Sequence, residues 1–221
     1  MFDNLTPALW ALFATSLWET VVMVGVAGLV GALIGIPLGV LLRLTDRGGV
    51  LTRPVFHRVV GTVVNAVRST PFIILLVAII PFTRWITGSS IGTWAAVVPL
   101  SLAAAPFIAR LVETALREVD NGLIEAAQAM GASTRQIVWK VLLPEALPGI
   151  VAGITISLVA LTGYSAMAGA IGGGGLGDLG IRYGYQRFLP DVMLAVVLVL
   201  IVFVQLIQSA GDWLVRRLSH R

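Results

Sequence analysis

The sequence predicts an all-α integral membrane protein with five transmembrane helices. Of its 221 residues, 57% are hydrophobic and only 12% are charged, about half the charged fraction of a soluble domain, which is ~25%. The mean hydropathy is +0.95. Runs without any charged residue recur along the chain, and a helix needs about 20 such residues to cross a bilayer. There is no cysteine, which excludes disulfides and thiol chemistry.

The charge pattern argues against nucleic acid as a partner. The net charge of +4 and the pI near 10.3 would suit a nucleic-acid-binding protein. The basic residues, however, are scattered between apolar runs and form no patch or stripe, whereas a nucleic-acid interface concentrates them on one face. We therefore expect membrane lipid, and no nucleic acid, around this chain.

A single domain, residues 1–221, holds all the predicted spans. These lie at about 20–42, 59–83, 91–111, 146–168 and 191–212. The second span is the least regular, because the apolar run from Pro71 to Thr83 is too short and must extend back past Arg68. We expect Arg68 in the inner third of the membrane, facing protein or snorkelling to the surface. Residues 2–18 predict a short surface helix or an outward extension of the first span.

Lysine and arginine counts predict the orientation. Eleven of these residues lie in the loop 43–58, the segment 110–140 and the tail 216–221, whereas only Arg84, Arg182 and Arg187 lie on the other side. Basic residues accumulate in cytoplasmic loops. The N-terminus is therefore predicted outside and the C-terminus in the cytoplasm, as an odd number of spans requires.

The segment 113–145 predicts a cytoplasmic elbow of two short helices joined at a glycine. Asn121 is suited to begin the first helix as its cap, and Gly131 to end it. One face of this helix is expected to hold Leu123, Ala126, Ala127 and Met130. Ser133 is suited to cap the second helix. A compact elbow with an apolar face in water indicates that another protein docks there.

The elbow resembles the cytoplasmic signature of permeases of ATP-driven ABC importers. That signature reads Glu-Ala-Ala, three residues, Gly, nine residues, Ile-any-Leu-Pro. Here Glu125-Ala126-Ala127 is followed by Gly131 and then by Val141-Leu142-Leu143-Pro144, with Val141 in place of isoleucine. Further stretches are similar to the permeases of methionine importers, among them Arg68 to Leu76, Val141 to Gly149, and Gly163 to Met167.

The resemblance implies a type I importer fold and a homodimeric permease in the bacterial inner membrane. It implies two ATP-binding cassette subunits as partners, an extracytoplasmic substrate-binding protein, and a path for methionine, the D-isomer included. The chain itself would be no enzyme and would bind no metal or cofactor, since the partner ATPase uses ATP and Mg. The residues implied to couple to that ATPase are Glu125, Ala126, Ala127, Met130, Gly131, Leu143 and Pro144.

Hydroxyl-bearing residues along the fourth span predict a translocation path. Ser157, Tyr164, Ser165 and Met167 would line the path or its outer gate, although serine hydroxyls in such helices often bond to backbone instead. The glycine-rich stretch 169–184 is no phosphate loop, because no Gly-Lys-Ser/Thr follows. We expect it to form a mobile outer loop that meets the binding protein, or a non-helical crossing at the dimer axis.

Two other classes of function remain open from the residues alone. A secondary transporter usually needs an ionisable centre at mid-membrane, but the first and fourth spans, and the run from Val192 to Gly211 within the fifth, carry no charge. A membrane scaffold would not require the elbow. Within the importer class, another amino acid could replace methionine, because no residue chemistry here selects a thioether.

Overall fold

The computed structural model describes residues 7–219, with side chains from Leu9, and this range contains ten α-helices and no β-strand. Residues 2–6 of the predicted N-terminal segment lie outside the described residues. The helices are α1 Pro7–Thr45, α2 Pro54–Ser69, α3 Phe72–Ala78, α4 Ile80–Thr87, α5 Thr93–Arg117, α6 Asn121–Ala129, α7 Thr134–Ile137, α8 Leu143–Ala168, α9 Gly175–Leu179 and α10 Pro190–Leu218. Three π-helical stretches, Val138–Leu142, Gly169–Gly173 and Gly180–Tyr185, continue the chain between helices.

Four helices are long and apolar enough to cross a membrane singly, and four of the predicted spans lie along them, the span 91–111 beginning two residues before α5. These are α1, α5, the continuous helix from α7 through α8, and α10. The first helix has 39 residues, about 58 Å at 1.5 Å per residue, so it extends well beyond a bilayer core of about 30 Å. Of the two predictions for the N-terminal segment, the structure therefore favours an extension of the first span.

The second predicted span is not one helix. The helices α2 and α3 meet at an angle of 101° and could make a fifth, broken span. The break follows from Pro71, which lacks an N–H and forces the preceding residue out of helical geometry. Thr70 accordingly has φ −79° and ψ 124°. The chain breaks a second time at Ile79, which has φ −96° and ψ 10°. The helix α4 begins at the next residue, just before Pro81.

The core lies between α1, α5 and α8. Met23 and Ala27 of α1 and Leu100 and Ile108 of α5 are fully buried. Close approach of α1 and α5 depends on glycine, because a Cβ at Gly35 would lie 2.7 Å from the carbonyl oxygen of Ala105. Small residues that let two backbones approach in this way are typical of membrane helix pairs.

The glycine-rich stretch 169–184 is folded mostly into short helical turns, with non-helical backbone angles at Ile171 and Gly172, so the expectation of a mobile outer loop is wrong. Its helix α9 packs against the N-terminal half of α1: the carboxylate of Glu19 accepts from the N–H of Gly175 at 2.7 Å, and the hydroxyl of Thr20 accepts from the N–H of Leu176 at 2.9 Å. A carboxylate at a helix N-terminus is favourable because these N–H groups have no partner inside the helix. Leu176 and Leu179 are completely buried.

Candidate coupling site and membrane pathway

The first helix of the elbow, α6, is capped by Asp120. Its carboxylate accepts a hydrogen bond from the N–H of Gly122 at 2.8 Å. The prediction that Asn121 is the cap is therefore wrong by one residue. Asp120 has the extended ψ of 125° that a capping residue needs, whereas Asn121 already belongs to the helix.

Gly131 ends this helix in the predicted manner. It adopts a φ of +78°, which glycine reaches without the penalty a side chain would impose. The N–H of Ala132 donates to Ala127 O at 3.0 Å and the N–H of Gly131 to Gln128 O at 2.9 Å, the paired bonds of a Schellman motif. Ser133 and Gln136 then form a reciprocal capping box that starts α7, as the sequence predicts for Ser133.

The exposed face of α6 differs in part from the predicted one. Ile124 and Ala127 are buried against the rest of the chain. Glu125 and Ala126 are exposed, and Met130 is 82% exposed. The expectation that Ala127 shares a face with Met130 is wrong, because the helix turns its Ile124–Ala127 side inward. The outward side presents a carboxylate, small side chains and a flexible thioether.

The second half of the elbow is joined rigidly to the membrane helix. Ile137 and Leu142 are buried, and the helical backbone runs from α7 into α8 without interruption. Leu143 is half-buried and packs against the core, while Pro144 is exposed in the first turn of α8. A displacement of the elbow would therefore move α8 with it.

The start of α6 is also tied to the end of α1. Arg43 is only 7% exposed, and its guanidinium donates to Leu116 O and to the side-chain oxygen of Asn121, both at 3.3 Å. Sequence reasoning assigned Arg43 only to the orientation signal. Nothing in the pattern 43–58 indicates that one arginine of this loop is buried and three are not.

Next to Arg43 lies an ion-pair network centred on Glu113, which is only 1% exposed. Arg110 Nη1 contacts Glu113 Oε2 at 2.6 Å, and Arg117 Nη2 contacts Glu113 Oε1 at 2.7 Å. Arg117 also reaches Asp46 at 2.8 Å. The sequence spacing of three residues from Arg110 to Glu113, and of four from Glu113 to Arg117, was a signal that could have predicted these pairs, but the sequence analysis did not use it. The network joins α5 to the loop after α1.

Asp46, His57 and Glu113 place three potential metal-ligand atoms within 4.8 Å of one another. The two carboxylates, however, already contact Arg110 and Arg117. A divalent cation here would face these guanidinium groups at close range, and like charges repel. We therefore assign the cluster to ion pairing between helices.

Acidification provides a test of the Asp46 pair. Burial alone would raise the pKa of Asp46, but the N–H of Arg47 and the charges of Arg117 and His57 outweigh it and lower the pKa. Because the pKa of Asp46 is lower in the folded state, the ionised carboxylate stabilises the fold at pH values above its pKa in the unfolded chain, about 3.9. This stabilisation is lost as the pH falls through the pKa of the folded state.

We expect Asp46→Asn to lower the free energy of unfolding at pH 7 by about 1 kcal/mol or less, because the pair is partly solvated. The variant should also lose less stability than the natural chain between pH 5 and pH 3. Thermal unfolding in detergent at each pH measures both effects. Asp212→Asn is the control, since among the described residues the side chain of Asp212 accepts only from the amide of Gln208, at 2.8 Å. Equal pH profiles for Asp46→Asn and the natural chain would contradict this assignment.

The predicted pathway residues fall into two groups. Ser157 and Ser165 are each 1% exposed, and their hydroxyls donate to Gly153 O and Thr162 O at 2.8 Å, so neither lies at a surface of this chain. Tyr164 is half-buried and stacks on Phe72 of α3, with ring centroids 4.8 Å apart. Met167 is 48% exposed. Within α8, the surface near the predicted outer gate therefore comes from Tyr164 and Met167.

The fold and the site together define a multi-pass helical membrane protein with an exposed elbow that continues into a membrane helix. Residues 35–221 match the family described as the inner membrane component of binding-protein-dependent transport systems. The chain belongs to this family. It is thus the membrane component of an ABC transporter in the inner membrane, and ATP hydrolysis takes place in a separate subunit.

Several relatives cover most of the chain. A probable D-methionine transport system permease protein of Vibrio cholerae is 57% identical over 210 residues, which cover 95% of this chain and 93% of the relative. One from Pasteurella multocida is 48% identical over 98% of this chain and all of the relative. The D-methionine transport system permease protein of Escherichia coli K12 is 56% identical over 163 residues, 74% of this chain and 75% of the relative.

Solved structures agree with this assignment. An inward-facing methionine ABC transporter contains a chain that is 52% identical, with a TM-score of 0.96 over 98% of this chain and all of that one. An amino acid ABC transporter with histidines matches with a TM-score of 0.77 over 95% of both chains. At 19% identity, this second likeness shows only the shared fold. The predicted type I importer permease fold is confirmed.

Proposed function

We propose that the chain is the membrane-spanning permease subunit of an ATP-driven methionine importer that accepts the D- as well as the L-isomer. The observation that supports methionine as the substrate is the 57% identity over nearly the whole chain to a probable D-methionine permease. The observation that supports ATP-driven coupling is the exposed elbow, which presents Glu125, Ala126 and Met130 on a helix held rigidly at both ends.

In this proposal, the elbow of each of two copies docks on one of two ATP-binding cassette subunits. Closure of the ATPases on ATP and Mg would push both elbows. Because α7 continues into α8, and Arg43 ties α6 to α1, the push would rotate these membrane helices as a unit. Such rigid-body motion is a standard way to turn a local event into a large one. Leu143 and Pro144 lie where the elbow joins the membrane helix, and Gly131 allows close approach.

The translocation path would run between the two copies. Tyr164 and Met167 would contribute surface near its outer gate, while Ser157 and Ser165 would support that wall through their bonds to the backbone of α8. The N-terminus would lie outside and the C-terminus in the cytoplasm, so that the eleven basic residues face inward. An extracytoplasmic binding protein would deliver the substrate to the outer side.

Uptake of labelled methionine into proteoliposomes tests this function. The chain is reconstituted with the ATPase and the binding protein encoded beside it, and uptake is measured with ATP and with a non-hydrolysable analogue. We expect uptake of both isomers only with hydrolysable ATP. Uptake of a different amino acid would keep the importer and discard methionine. Uptake driven by a proton or sodium gradient without an ATPase would overturn the proposal.

A further inference from the structure

The helix α2 carries a polar stripe along an otherwise apolar membrane segment. Arg58, Thr62, Asn65 and Ser69 recur at spacings of four, three and four residues, which places them on one side of a helix. All four are exposed in the chain. From Arg58 to Ser69 the stripe extends about 16 Å along the helix, roughly half the thickness of a bilayer core.

The other side of α2 is apolar. Val59 and Val63 are each 59% exposed, and Val63 and Val67 line an apolar groove that α2 shares with α1, α4 and α5. Hydrocarbon chains suit this side but not the stripe, because amide and hydroxyl groups in lipid lack partners. The two sides of α2 therefore have different surroundings, and the stripe needs water or polar groups in front of it.

Arg68 lies beside this stripe with a free charge. Its side chain is exposed, and no described carboxylate lies within ion-pair distance of it. The guanidinium carbon is 5.7 Å from the ring centroid of Phe107, the fifteenth of the 25 residues of α5. Phe107 lies in the last third of the predicted span 91–111, the third of the membrane in which the sequence predicts Arg68.

We propose that the polar side of α2 lines the aqueous translocation path between two copies of the chain, and that Arg68 binds the carboxylate of the amino acid in transit. This inference rests on the proposed importer function. Charged groups at membrane depth face a water-filled cavity or a partner, and a guanidinium matches a carboxylate with two parallel hydrogen bonds. The stripe of Thr62 and Asn65 leads from the loop side of α2 to this cation.

The position of Arg68 suits transient binding. It lies in the last turn of α2, where the negative end of the helix dipole favours a cation. The ring of Phe107 holds the side chain in place by a cation–π contact that leaves the N–H groups of the guanidinium available. A permanent ion pair would have blocked the path, whereas this arrangement leaves the cation free for each passing substrate.

Substituted cysteines test the stripe directly, because the chain has no cysteine of its own. Thr62→Cys and Asn65→Cys are compared with Val59→Cys and Val63→Cys in the assembled transporter in membrane vesicles. A thiol reacts as its thiolate, which requires water. We expect a charged methanethiosulfonate reagent to modify positions 62 and 65 and to leave 59 and 63 unmodified. Equal labelling of both pairs, or labelling of 59 and 63 alone, would overturn the assignment of the stripe.

Arg68 is tested by uptake kinetics at a saturating concentration of the binding protein. We expect Arg68→Gln to reduce the uptake rate by about tenfold or more, since a charge-assisted pair is lost, and Arg68→Lys to retain part of it. Phe107→Leu keeps the guanidinium but loses the cation–π contact, so it should reduce the uptake rate less than Arg68→Gln does. Arg217→Gln is the control. Arg217 lies over the ring of Trp213, outside the proposed path, so the uptake rate of this variant should match that of the natural chain.

The outcomes separate this inference from the proposed function. If the natural chain takes up methionine and Arg68→Gln does so at the same rate, the carboxylate site is wrong and the importer stands. If Phe107→Leu is as impaired as Arg68→Gln, Arg68 acts through packing and the site is again wrong. The labelling of positions 62 and 65 depends on assembly alone, so it can be read even if methionine is not the substrate.

Discussion

The Gly131→Leu permease should reach the membrane in normal amount and lose most of its substrate-stimulated ATPase activity, about tenfold or more. Gly131 has a φ of +78°, a conformation that costs other residues about 1–2 kcal/mol, so the fold should survive. A Cβ at this position meets no atom of the chain within 4 Å. The leucine side chain would therefore project from the elbow into the space that a docked ATPase occupies. ATPase rates of the reconstituted complex, with and without substrate-loaded binding protein, measure the effect.

Gly48 provides a matched control for backbone strain. It has a φ of +85° and a Cβ there would also meet no atom within 4 Å, but it lies in the loop after α1, outside the elbow. Gly48→Leu should therefore carry a similar conformational cost and keep its ATPase stimulation. Normal stimulation in Gly131→Leu would contradict docking at this glycine, and equal loss in both variants would attribute the effect to strain.

Much of the fold and half of the elbow could be predicted because the signals are local. A charge-free run long enough to cross the bilayer predicts a membrane helix by itself, and four of the predicted spans lie along long apolar helices of the structure, within two residues at their ends. Gly131 and Ser133 could be placed because a left-handed terminus and a capping box depend on residues within one turn. Such features can be predicted without knowing which parts of the chain pack against them.

The remaining features depend on distant parts of the chain. Which side of α6 faces inward is decided by contacts of Ile124 and Ala127 with the core, and the same apolar spacing would fit either rotation. The glycine-rich stretch becomes helical turns because Glu19 and Thr20, 156 residues earlier, receive its N–H groups. Ion pairs such as Arg117 with Asp46 join residues 71 apart. Sequence patterns at short range contain no information on such pairs.

A row of glycines on α1 leads to the prediction with the largest effect on folding. Gly31, Gly35 and Gly39 recur every fourth residue and face α5, where added Cβ atoms would lie 2.5 Å from Ala104 Cβ, 2.7 Å from Ala105 O and 2.6 Å from Ala109 O. Two of these three contacts are with backbone oxygens, which cannot rotate away as a side chain can. We expect Gly35→Leu to separate α1 from α5 and to cost more than the 1–3 kcal/mol typical of an overpacked core.

The expected result for Gly35→Leu is loss of monodisperse protein in detergent, or a thermal unfolding midpoint lower by about 10 °C or more. The estimate follows from the roughly 2–4 °C that each kcal/mol shifts a chain of this size. Gly25→Leu is the matched control on the same helix, because Gly25 is exposed and a Cβ there meets nothing within 4 Å. It should behave as the natural chain does. A stable Gly35→Leu permease would show that α1 and α5 can move apart at little cost, and that the core between them is not what fixes the position of the elbow.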